Sequence, residues 1–158
     1  NTMDMRAFMK SDLKDRGTIE FKGIDRFLDD KGKPIPFILR RLSRNRVQEI
    51  RNLYRTKDVF YDTSSGSKRP LLTADGQVAT IVNYDADKVS THIMIESFVQ
   101  PKLDDKDLME FYGVLDRMDM PAILFPDRAE YDYANKCVMI ACGMSENNDE
   151  KVIDDLKN

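Results

Sequence analysis

The chain has 158 residues, 41% of them hydrophobic and 34% charged, with a formal net charge of −3, so it can bury one modest core beneath a heavily charged surface. No apolar run approaches the about eighteen residues needed to cross a bilayer, and the first residues lack the basic and apolar segments of a leader, so the chain is expected to be soluble and to stay where it is made. One histidine and two badly spaced cysteines exclude a zinc site of N and S ligands, and thiols at Cys137 and Cys142, which a helix points apart, fit a reducing cytoplasm.

Residues 1–17 read as an N-terminal arm. Met5, Phe8, Met9 and Leu13 recur at helical spacing, which suits a short amphipathic helix or an arm that binds a partner. Thr18 to Phe27 alternates as a strand with a possible bulge at Gly23, and Pro36 to Arg40 is its partner across an Asp29-Asp30-Lys31-Gly32 turn. Pro34 and Pro36 each lack an N–H, which predicts an edge position for the start of that second strand. Ser43 is the expected N-cap of a helix whose apolar stripe is Leu42, Val47, Ile50, Leu53 and Tyr54.

The stretch around residues 58–78 is polar, small and Gly/Pro-containing, and reads as a mobile loop. Val78 to Tyr84 predicts a short strand, after which Asp85 caps a helix that runs to Gln100 and ends before Pro101. Asp104 or Asp105 opens a helix through Tyr112 with Gly113 as its stop. Asp119 with Pro121 opens another to about Phe125, and Asp127 caps a last helix to about Cys142. Residues 144–158 read as an acidic flexible tail. The whole predicts an α+β fold: an N-terminal β-hairpin followed by a mainly α-helical domain of four to five helices, one domain over residues 18–143.

No reaction chemistry stands out. His92 sits mid-helix four residues before Glu96, and pairing with it accounts for the histidine more simply than a site with Ser90, Cys137 or Cys142 as nucleophile. Acidic pairs such as Asp85 with Asp87 are what capping and the helix dipole call for, and the scattered glycines form no phosphate loop. The chain therefore reads as a non-enzyme without metal or cofactor.

Charge is unevenly placed along it. Residues 1–57 hold fifteen Lys/Arg against eight Asp/Glu, a net +7, whereas residues 101–158 hold seven against fourteen, a net −7. Either the two halves neutralise each other within one fold, or the basic front of one copy meets the acidic back of the next. The basic run Arg40, Arg41, Arg44, Arg46, Arg51, Arg55 and Lys57 supports a second function, a nucleic-acid-binding regulator using an Arg-rich helix over 40–57. The acidic second half opposes it, and a protein-facing arginine surface is preferred.

Three segments, RFLDDKGKPIPFILRRLSRNRVQEIRN (26–52), VSTHIMIESFVQPKLDDKDLMEFYGV (89–114) and ILFPDRAEYDYANKCVMIACG (123–143), together resemble the XkdN-like tail assembly chaperones of phages and phage-derived contractile particles. Arg26-Phe27, Asp30 to Pro34, Arg40, Val99 to Lys102, Tyr112-Gly113, Tyr131, Tyr133 and Ala134 match the family pattern over about residues 20–143. The helix after Leu42 departs from it, being richer in arginine. The resemblance implies a non-enzymatic chaperone of the host cytoplasm, absent from the mature particle, that binds the tape measure protein, helps recruit tail tube protein and self-associates. Phe8, Met9 and Leu13 of the arm and Arg41, Arg44, Arg51 and Arg55 are the expected protein-interaction residues.

Overall fold

A computed structural model of the chain describes residues 5–9 and 17–144. Leu13 and the tail residues 145–158 lie outside the described residues. The hairpin forms where its turn chemistry places it. The Asp29 carboxylate accepts from the Lys31 and Lys33 N–H groups at 2.8 and 2.9 Å, and Gly32 adopts a φ of 76°. Strands β1 (Thr18–Phe21) and β2 (Phe37–Arg40) pair antiparallel from Thr18↔Arg40 to Phe21↔Phe37.

Two details correct the sequence reading. β1 ends at Phe21 instead of bulging at Gly23, because beyond it the chain leaves the ladder and presses Gly23 against the Ile35 backbone. β2 is the middle strand and not an edge: β7 (Phe98–Gln100) pairs along its other side in the order β1-β2-β7. The prolines allow this because both precede Phe37, with Pro34 in an isolated bridge to Leu28. β7 had the apolar pattern of a continuing helix, yet the helix stops at Ser97.

One face of this sheet carries Ile19, Phe21, Phe37 and Leu39 into the core. There they meet the central helix α2 (Ala86–Ser97), capped by Asp85, and the long helix α5 (Arg128–Ala141), capped by Asp127. Phe37 packs edge-on against Phe98 and Phe125 at centroid distances of 5.2 and 5.8 Å. Helix α1 (Arg44–Leu53) starts where the Ser43 hydroxyl accepts the Arg46 N–H at 3.1 Å. Its buried residue is Ile50, joined in the core by Leu42 just before the cap, while Leu53 points outward.

The segment expected as a loop is a β-ribbon. Its strands β3 (Arg55–Val59) and β6 (Thr80–Tyr84) pair over five residues, and β4 (Tyr61–Asp62) pairs with β5 (Arg69–Pro70) further out. Every residue of β3, β4 and β5 is exposed, so neither face shows the alternation that marks a half-buried strand. The remaining helices are short: α3 (Lys106–Phe111), capped by Asp105, and α4 (Met120–Leu124). Asp119 makes no cap here; Asp116 caps the 3-10 turn Arg117–Asp119 that leads into α4. The architecture is the expected α+β arrangement, a small sheet begun by the hairpin and followed by five helices.

Candidate protein-docking surface

His92 is committed to structure. It is 4% exposed, with Nε2 3.4 Å from the Glu96 carboxylate and Nδ1 2.7 Å from the Tyr54 hydroxyl. If Nε2–H donates to Glu96, Nδ1 is left to accept from Tyr54, so both ring nitrogens are used. Glu96 in turn accepts from the Arg46 guanidinium at 2.5 and 2.8 Å, and Arg46 also reaches Glu49 at 2.9 Å. This chain of groups bolts α1 to α2. The nucleophiles that an enzyme reading would pair with His92 are engaged elsewhere. Ser90 donates to the Asp87 carbonyl, the Cys142 thiol contacts Ser97, and the buried Cys137 thiol, pushed up to about 12 by burial, is paired with Tyr133.

The network sets a pH response. Burial, reinforced by the Arg117 and Arg46 charges, holds His92 below its usual 6.5. Hydrogen bonds from Arg46 hold Glu96 below its usual 4.5. In both cases the unfolded chain binds more protons than the folded one, so stability rises with pH. The contribution is fully present above 6.5, declines as pH falls through the lowered His92 value, and declines again below 4.5. The urea midpoint is expected to drop between about pH 7.5 and 5, and His92→Gln to flatten that upper window. A midpoint that rises on acidification across this range rules the account out.

The arginines are divided among three elements and do not form one helix over 40–57. Arg40 belongs to β2 and donates to the Glu96 carbonyl, and Arg41 is half-buried before α1. Arg44 stands exposed at the start of α1, Arg46 turns inward, and Arg51 lays its guanidinium 4.7 Å over the Tyr84 ring. Arg55 opens β3 opposite Tyr84. Where the chain passes from helix into ribbon, the Asp85 N–H closes onto the Tyr54 carbonyl at 2.9 Å. Of the arm, Phe8 and Met9 are described, 59% and 73% exposed, and are not brought to the arginines by any described contact.

Apolar side chains collect in two further places. Between the hairpin and α3 lies a groove of about 300 Å³ lined by Phe27, Ile35, Pro101, Leu108, Phe111 and Leu124. Phe111 at its lip is 79% exposed. Outward along the ribbon, Phe60, Tyr61, Leu71, Leu72, Val78 and Ile81 are all at least about two-fifths exposed with no core behind them. Sequence reasoning missed both: the ribbon's apolar positions are scattered through a mostly polar stretch, and the groove's walls come from the hairpin and α3, far apart in sequence. Among the described residues there is no group of three or more His, Cys, Asp or Glu able to hold a metal ion, and no helix is long and apolar enough to cross a membrane.

Comparison with known proteins gives three findings. A family model for the phage XkdN-like tail assembly chaperone protein matches residues 5–157. The phage-like element PBSX protein XkdN of Bacillus subtilis (strain 168) is 26% identical over 141 residues, which span 89% of this chain and 85% of that protein. The crystal structure of the protein YqbN shares the fold with a TM-score of 0.67 at 19% identity, covering 92% of this chain and all of that one.

Proposed function

The chain belongs to the phage XkdN-like tail assembly chaperone family, and from that premise we propose that it works by binding the tape measure protein of a contractile tail in the host cytoplasm. In this reading it self-associates, holds the tape measure protein soluble, helps recruit tail tube protein, performs no catalysis and leaves before the particle matures. The family match along residues 5–157 carries the reading.

The surface supports it. A long helical client needs apolar contact that can be released, and the outer ribbon offers such contact on a backbone whose edges pair with no further strand among the described residues. Leu71 and Leu72, 39% and 59% exposed, are adjacent side chains there that a client would cover. Phe8 and Met9 of the arm, and Arg41 and Arg44 beside α1, are further contacts in the same proposal.

Co-expression with the tape measure protein of the same tail is expected to raise that protein's soluble fraction and to yield a complex on co-purification. Leu71→Ser with Leu72→Ser is expected to weaken capture about tenfold, the effect of losing a pair of interface anchors. If no complex is recovered with the unaltered chain, the reading fails.

A further inference from the structure

At the root of the ribbon, Arg55, Lys57 and Val59 alternate onto one face, and their register partners Tyr84, Val82 and Thr80 share it, because directly opposed residues of an antiparallel pair point the same way. Arg51 joins them through its stacking on Tyr84. Three cations thus border an aliphatic strip of Val59 and Val82, 37% and 38% exposed. None of the three has an ion pair among the described residues. The carboxylate of β3, Asp58, lies on the opposite face and accepts from Asn83 at 2.7 Å.

A matching surface of opposite sign lies on α3. Asp107, Glu110 and Phe111 stand at i, i+3 and i+4 and form one ridge. The Phe111 ring is held edge-on to Tyr112 at 5.0 Å yet remains 79% exposed. Asp107 and Glu110 have no cation partner among the described residues.

We propose that these two surfaces bind each other between copies of the chain. The α3 ridge of one copy seats on the cationic ribbon face of the next, with Phe111 on Val59 and Val82 and the two acids among Arg51, Arg55 and Lys57. Charge complementarity within a single sequence selects a second copy as the occupant, since each surface carries the apolar centre and the charge sign the other lacks. The contact is heterologous, so every copy keeps one free ridge and one free face, and association runs head-to-tail into a ring or an open filament. It rests on the self-associating chaperone reading but requires no client. The outer ribbon, assigned above to the tape measure protein, stays free.

Sedimentation velocity of the full chain tests it. Wild type is expected to form species larger than a dimer at low salt and to dissociate as salt rises from about 0.05 to 0.5 M. A ridge variant, Glu110→Ala with Phe111→Ala, and a face variant, Arg55→Ala with Lys57→Ala, are each expected to weaken association about tenfold or more. All four side chains are exposed, and unchanged circular dichroism checks that both variants fold. Mixing the two is expected to give a 1:1 dimer and nothing larger, because one intact face then meets one intact ridge. A monomeric wild type, a variant that assembles like wild type, or a mixture that does not dimerise overturns the proposal. A monomeric wild type that still captures the tape measure protein sinks this inference and the self-association it rests on while leaving client binding standing; intact assembly without capture sinks client binding alone.

Discussion

Phe37→Ala is expected to lower the unfolding free energy by about 3–5 kcal/mol, read as a fall in the guanidinium midpoint at unchanged slope. Phe37 is 1% exposed and is the residue at which the layers of the core converge. Its ring meets Phe98 of β7 and Phe125 after α4 edge-on, and lies 6.0 Å from the Tyr133 ring of α5. Truncation removes the ring's transfer energy and leaves a hole lined by aromatic groups that cannot all close in. A loss of this size is a large fraction of the about 5–15 kcal/mol that holds a domain of this kind together. The neighbouring Ile38 is only half-buried, on the opposite face, and Ile38→Ala serves as the comparison. If the two substitutions cost the same, Phe37 is not the keystone of the sheet-to-helix contact.

Gly23→Ala is expected to destabilise by about 3 kcal/mol or more, through overlap and not through a lost contact. A Cβ at Gly23 would stand 1.9 Å from the Ile35 carbonyl oxygen and 2.7 Å from its carbon. Both are backbone atoms, so no side-chain rotation relieves the clash. Neither strand exit can move freely: the Ile35 N–H bonds the Phe27 carbonyl at 2.9 Å, and the Tyr133 hydroxyl donates to the Lys22 carbonyl. The damage reaches the groove, because Phe27 and Ile35 form its hairpin wall. Gly32 gives the control. It adopts a φ of 76° with nothing within 4 Å of an added Cβ, so Gly32→Ala should cost only the about 1 kcal/mol of left-handed backbone strain. Equal thermal shifts for the two variants, measured by calorimetry, would remove the close approach as the reason for glycine at 23.

Both effects concern the hairpin, whose turn was legible because its signals are local. Asp29 and Gly32 act within a few residues of themselves, and so do the caps Ser43, Asp85, Asp105 and Asp127, each observed bonding the N–H two or three positions on. His92 was legible for the same reason, its partner Glu96 being one turn away. Arg46 was not. It stands within the basic run with only Glu49, three residues on, to mark it, yet among the described residues it alone of that run reaches the Glu96 carboxylate, fifty residues on. Asp119 shows the opposite failure: the right residue type before a Pro-containing helix, displaced as a cap by Asp116 because a 3-10 turn intervenes.

The amino-acid sequence alone determined the elements with their own stop and start signals, the α+β class, the family resemblance that the matched family model bears out, and the opposed charges of the two halves. Tertiary structure alone decided that β2 takes β7 as a second neighbour, that residues 55–84 pair into a ribbon, and which arginine reaches the Glu96 carboxylate. The division follows from range. Turns, caps and helical stripes are settled by atoms within a turn or two of chain, whereas strand partnership and burial of a charge depend on groups tens of residues away, whose positions exist only once the core has closed.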